Sequence, residues 1–241
     1  MPAFVGKSNS YRYYCIDEIE KAKLIALLRQ LEMPLTRISE VMSLKGQNLT
    51  NAISSYWQEV EEDVRTKRKL VHYLKTHLEG KGENMFNIEI REVPEQKMLT
   101  IEKRVFQADL AAFIETSKKD LFTYVADSSQ EVLGESIVIY HGKVDSDSDG
   151  PVEICIPFKG SLEPKGDMRV RLEPAHKEAY TRLTKAQVVF PDILAAYDAV
   201  SKYIHDSGKV ISASPREVNL ADWSKIADNE AACDVAFPFI D

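Results

Sequence analysis

The chain is poor in the residues that build covalent or metal-clamped frameworks. Its three cysteines, Cys15, Cys155 and Cys233, are odd in number and far apart, and its five histidines are scattered without metal-ligand spacing. A disulfide scaffold and a zinc site are therefore excluded, and no cofactor is expected. Glycine and proline number ten each, too few for a low-complexity chain, so an ordinary globular protein is expected. No apolar run approaches the ~20 residues of a membrane span. Met1–Ser10 lacks the basic-then-apolar pattern of a signal peptide, which predicts a cytoplasmic protein without membrane contact. Walker loops, dinucleotide fingerprints and nucleophile triads are missing too, so no catalytic residue is assigned and an enzyme is not expected. Asp145-Ser-Asp147-Ser-Asp149-Gly150 begins like a calcium loop, but its twelfth position is Ile156, where a bidentate Glu is needed. It reads as a solvated acidic hairpin.

Charge is present but uneven. Residues 1–46 carry seven Lys/Arg against five Asp/Glu, residues 47–84 six against six, and residues 85–241 eighteen against twenty-seven. The last stretch repels nucleic acid and favours cations; only the first is mildly suited to phosphates. Within it, Ile19, Ala22, Leu24, Ile25, Leu27, Leu28 and Leu31 form one helical stripe. Met33-Pro34-Leu35-Thr36 interrupts it, and Ile38, Val41 and Met42 resume. Residues 47–78 then form one long helix. Its apolar positions Leu49, Ile53, Tyr56, Val60, Val64, Val71, Leu74 and Leu78 are spaced by threes and fours, with one gap of seven, which is a coiled-coil seam. Gly80-Lys-Gly-Glu-Asn84 breaks it. Three regions follow: 1–46, 47–80 and 85–241.

The third region repeats once, as 85–160 and 166–241. Ile88–Pro94 matches Met168–Pro174 and Val152–Phe158 matches Cys233–Phe239, with an amphipathic helix between each pair, at Phe106–Tyr124 and Phe190–His205. Each half reads strand-helix-strand-strand. The fold class is α+β: N-terminal helices, a long coiled-coil helix, then a duplicated sheet domain with a pseudo-twofold axis, where a pocket readily forms.

The repeat also singles out one residue. Carried across at the offset of 80 between Pro94 and Pro174, the strand Gly134–Tyr140 aligns with Ser214–Leu220, and Glu217 falls where the first half has Ile137. Strand alternation then puts Glu217 and Asn219 on the face of Ile137 and Ile139. A carboxylate on an apolar face is costly unless paired or used. Either Glu217 is salt-bridged to a local base, or it is the counter-charge for a cationic ligand, with Tyr140, Tyr180 and Trp223 as aromatic walls.

Tyr11-Arg12-Tyr13-Tyr14, Asp17–Leu24 and Leu31-Glu-Met-Pro-Leu35 resemble the wing and second helical pair of the MerR family of transcription regulators. Pro215–Leu220 and Asp234–Phe239 resemble the terminal strands of a GyrI-like effector-binding domain of the BmrR type. The resemblance covers almost the whole chain. It implies a homodimer through residues 47–78, a partial winged helix that contacts DNA through Tyr11, Arg12, Tyr13 and Tyr14, and a pocket for hydrophobic, often cationic small molecules facing Glu217. The family's first helix-turn-helix, with its base-reading helix, is expected to be lacking, because Met1-Pro-Ala-Phe-Val cannot encode it. DNA binding would be weakened accordingly. The alternatives are a GyrI-like protein that sequesters drugs or inhibits a partner without binding DNA, and a small-molecule hydrolase built on the same glutamate.

Overall fold

In a computed structural model the described residues are 4–5, 12–13, 15–79 and 86–241, with side chains described for 15–79 and 86–241. The linker read at Gly80–Asn84 lies outside them, as do Tyr11 and Tyr14. The chain divides into two compact units, Met1–Lys67 and Arg68–Asp241.

The first unit opens with a two-stranded pair, β1 (Phe4–Val5) and β2 (Arg12–Tyr13), in which Val5 faces Arg12 and Phe4 faces Tyr13. Helices α1 (Ile16–Gln30) and α2 (Leu35–Ser43) follow. Glu18 accepts the Cys15 backbone N–H at 3.0 Å, satisfying one of the open donors at the start of α1. Pro34 precedes α2, where its missing N–H costs nothing. Leu28, Met33, Ile38 and Val41 make a small core against Leu49, Ile53 and Tyr56 of the long helix α3 (Gln47–Leu78). No residue of α3 is fully buried. Among the described residues no helix is long and apolar enough to cross a membrane.

The second unit is α+β. Its strands are β3 (Glu89–Val93), β4 (Gln96–Val105), β5 (Glu131–Val132), β6 (Ile137–Tyr140), β7 (Gly150–Lys159), β8 (Met168–Glu173), β9 (His176–Thr184), β10 (Val210–Ile211), β11 (Arg216–Asn219) and β12 (Ala231–Ile240). Helix α4 (Gln107–Asp127) follows β4, and α5 (Ile193–Asp206) occupies the same place after β9. Each half therefore has one strand more before its helix than the sequence pattern resolves. Pro94 and Pro174 end the leading strands rather than interrupting single long ones, since proline cannot donate to a continuing ladder.

The sheet is antiparallel, in the order β3-β9-β12-β11-β6-β7-β4-β8. That order is a palindrome under exchange of the halves, with the pseudo-twofold between β6 and β11, and each leading strand crosses to pair with the other half. Pro157 and Pro238 sit where β7 and β12 change neighbours. Their carbonyls accept the N–H groups of Leu133 and Ser212 at 2.9 Å each, and the absent proline donors are not needed there. Both helices cover one face. Leu121 and Val125 of α4 pack on Leu99, Val138, Ile154 and Phe158, while Ala196, Val200 and Ile204 of α5 pack on Ala179, Leu183, Val235 and Phe237.

Candidate functional site

Strand β11 runs down the pseudo-twofold with its register fixed on both sides. Glu217 pairs with Val138 of β6 and Val235 of β12; Arg216 pairs with Ile139 and Ala236. Residues directly opposite in an antiparallel pair share a face. Glu217 thus lies on the helix-covered face with Val138 and Tyr140, while Ile137 and Ile139 join Met98, Cys155 and Val218 on the other. This corrects the sequence reading. The buried triplets Ser117, Leu121, Val125 and Ala196, Val200, Ile204 superpose the halves at an offset of 79 through helix and inner strand, so the counterpart of Glu217 is Val138. One residue of slip exchanges the faces.

Around Glu217 the helix face supplies aromatic rings. Tyr197 of α5 donates its hydroxyl to Glu217 Oε1 at 2.8 Å, and the Tyr140 hydroxyl is a second donor to the same carboxylate. The Tyr197 ring meets Tyr140 edge-on with centroids 6.5 Å apart, and Phe237 edge-on at 5.8 Å, arrangements that suit the ring quadrupoles. Burial pushes the Glu217 carboxyl above its ordinary range, against the pull of the two phenol hydrogen bonds. Burial, and then the neighbouring carboxylate, hold both phenols well above theirs, so they donate and do not ionise. Cys233 is likewise held up by burial first and then by Glu217, and is an inert thiol. No basic side chain pairs with Glu217 among the described residues, which removes the salt-bridged alternative.

The remaining predicted positions divide. Asn219 shares the face of Glu217 but donates its amide to the carbonyl and hydroxyl of Ser136 at 3.0 and 3.1 Å, pinning β11 to the segment before β6. Trp223 lies in the loop after β11 and donates to the Ala232 carbonyl at 3.3 Å. Tyr180 lies on the opposite face, a second correction: it pairs with Ala236, donates to Glu89 at 2.8 Å and lies under the Arg91 guanidinium at 4.3 Å. Tyr197 is the site residue that sequence reasoning missed. Its signal was its place in the apolar stripe Ile193, Ala196, Val200, Ile204 of α5, where a tyrosine needs a buried partner for its hydroxyl. For Arg12 and Tyr13 only the backbone of β2 is described.

The opposite face carries a layer of ion pairs that joins the repeats. Arg91 on β3 binds Glu178 at 2.7 Å and Asp234 at 2.6 Å, and Arg182 grips Asp234 at 2.8 and 3.0 Å. By the same symmetry Arg171 on β8 binds Glu153 at 2.7 and 3.0 Å and also reaches Glu173, which receives Arg216 at 2.7 Å. His141 bridges Glu153 and Ser214, both at 3.0 Å. Hydrogen bonds from these partners, and for Glu178 first of all from His176 at 3.4 Å, hold Glu153, Glu173 and Glu178 below the ordinary carboxylate range despite burial. Every carboxylate in this layer has a base, and Glu217, one strand position from Arg216, has none. No group of His, Cys, Asp and Glu suited to a metal ion occurs among the described residues.

No protein-family model matches the chain, and no curated protein sequence matches it. Solved structures do. A cryo-electron microscopy structure of an EcmrR–DNA complex aligns with a TM-score of 0.56 at 20% identity, over 99% of this chain and 89% of that one. The crystal structure of the EcmrR C-terminal domain aligns with a TM-score of 0.55 at 17% identity, over 65% of this chain and 98% of that one. The likeness is one of fold: N-terminal helices, a long helix and a curled antiparallel sheet in that order.

Proposed function

We propose that the chain is a ligand-responsive transcription regulator of the MerR type whose C-terminal domain binds hydrophobic cations at Glu217. The observation that carries the reading is the carboxylate itself: held by hydrogen bonds from Tyr197 and Tyr140, with Phe237 against the Tyr197 ring, it has no base beside it among the described residues. An organic cation is the partner it lacks. The aromatic rings add ~0.5–2 kcal/mol for each good contact with such a charge, and the carboxylate selects cations over neutral molecules of the same shape. The surrounding groups support binding rather than turnover, because the phenols and Cys233 are all held in their protonated forms.

Two further parts of the reading rest on the rest of the chain. The apolar seam of α3 leaves Val64, Val71, Leu74 and Leu78 exposed, as expected of a helix that pairs with a second copy. The fold likeness to a protein solved on DNA spans nearly the whole chain and supports DNA as a partner, with Tyr11, Arg12, Tyr13 and Tyr14 as the contacting residues. Fluorescence titration with a rhodamine-type dye and an uncharged analogue tests the site. Saturable binding that favours the cation about tenfold or more, and a preference abolished in Glu217→Gln, are expected. Equal selectivity in the two proteins would sink the proposal.

A further inference from the structure

On the face of the sheet away from Glu217, side chains at the end of β6, at the start of β11 and on β7 meet in one line. Tyr140 donates its backbone N–H to the Pro215 carbonyl at 3.1 Å, so the next pair across the two strands is His141 and Ser214. A pair lying between ladder hydrogen bonds is the closely spaced kind, and the proline that follows holds Ser214 extended. Glu153 stands opposite Ile139, one diagonal step from His141 and on its face. Ser214 Oγ lies 3.0 Å from His141 Nδ1, and His141 Nε2 lies 3.0 Å from Glu153 Oε2. Arg171 binds both oxygens of that carboxylate and keeps it charged despite burial, so Glu153 only accepts, and His141 Nε2 carries the hydrogen of the neutral ring. Nδ1 is then a lone pair, and the Ser214 hydroxyl donates to it. The other half of the domain shows that the clasp does without such a pair. Leu220 holds the place of His141, its N–H bound to the Ala232 carbonyl at 3.0 Å as that of His141 is bound to the Pro151 carbonyl at 2.9 Å, and Glu135 holds the place of Ser214. Asp234, the counterpart of Glu153, is held by arginines. Ser214 follows His141 by 73 residues, so no local motif marks the three.

We propose that Ser214 and His141, positioned by Glu153, are the nucleophile and general base of an acyl-transfer site for small activated esters. Ser214 Oγ attacks the ester carbonyl carbon while His141 Nδ1 takes the hydroxyl proton. The tetrahedral adduct collapses, the bond from that carbon to the leaving oxygen breaks, and the leaving group departs with the proton. Water, deprotonated in its turn by His141, cleaves the acyl-serine and restores the hydroxyl. His141 is exposed and Ser214 half-buried, so the reacting carbonyl stays in contact with water. That suits aryl esters, whose leaving groups depart readily, and not amides, whose oxyanion needs enclosed donors. The site lies across the sheet from Glu217 and does not rest on its role as a cation site.

An alkyl fluorophosphonate tests the assignment on the full chain, because a serine activated in this way forms a bond to its phosphorus, expels fluoride and stays labelled. Intact-mass spectrometry should find one adduct per folded wild-type chain, and peptide mapping should place it on Ser214. The wild type unfolded in urea and folded Ser214→Ala should stay unlabelled, and His141→Gln should label about 100-fold more slowly. With p-nitrophenyl acetate as the ester, the wild type should release p-nitrophenolate about 100-fold faster than Ser214→Ala. An unlabelled folded wild type, an adduct on another residue, or equal labelling of the folded and unfolded chains overturns the proposal, and none of these needs a variant to fold. Labelling of His141→Gln at the wild-type rate overturns it as well, since His141 is then not the base.

Discussion

Glu217 and Asp234 lie on neighbouring strands and opposite faces, and they show how surroundings decide what a carboxylate does. Asp234 is wholly shielded from solvent and held by two arginines; Glu217 keeps some access to solvent and is held by two phenols. Burial raises the Glu217 pKa in the folded protein above its unfolded value. A carboxyl so shifted contributes stability while it is protonated, and that contribution is lost as pH rises through the folded pKa. Glu217→Gln, which cannot ionise, should therefore melt about 2 °C or more above the wild type at pH 8. The gap should close as pH falls below the folded pKa, and a melting point equal to wild type at every pH would refute it. Thermal melts across that range provide the check.

At the scale of elements, the leading strands β3 and β8 matter most, because each carries an arginine across to the other half. Removing one partner of such a buried pair leaves an uncompensated charge and costs about 3–5 kcal/mol, whereas an exposed pair contributes below about 1 kcal/mol. Asp234→Ala should accordingly lower urea stability severalfold more than Asp149→Ala, whose pair with Arg104 of β4 is exposed to solvent. Comparable losses would contradict the assignment of this layer as the clasp between the repeats. The elements themselves were legible: the repeat, both amphipathic helices, the long helix and the terminal strands follow from periodicity and prolines. The face of β11 was not. The halves differ by 80 residues at Pro94 and Pro174, 79 at Val138 and Glu217, and 81 at Pro157 and Pro238, and single-residue insertions of this kind are invisible until hydrogen bonds fix the register. Glu217 was found because the other half of the repeat has an apolar residue in its place at either offset, Ile137 at 80 and Val138 at 79. Tyr180 was misplaced because a tyrosine reads the same on either face.

At the scale of the whole molecule, α3 keeps much of its apolar seam exposed, as the proposed pairing with a second copy requires. Thirty-two residues long and without one fully buried side chain, it exposes Leu74 and Val64, and Leu78 is 83% exposed. A helix of that composition is stable in water when its seam is covered. Sedimentation should give a particle of twice the 27.3 kDa chain, and Val64→Asp with Leu74→Asp should return it to the mass of one. A monomeric wild type would contradict the pairing. The acidic balance of residues 85–241 fits the proposed cation site, since it draws cations and repels phosphates.

In the proposed function the Glu217 carboxylate, in its charged form, is what holds a cationic ligand. Its most direct test is the affinity of one permanently cationic rhodamine-type dye measured across pH in wild type and Glu217→Gln. Because the folded pKa is raised, ionisation is completed above the ordinary carboxylate range. Dye affinity should climb through that range and then level in the wild type, and the variant should give a flat, weaker profile. A wild-type affinity independent of pH, or a rise that persists in Glu217→Gln, would contradict it.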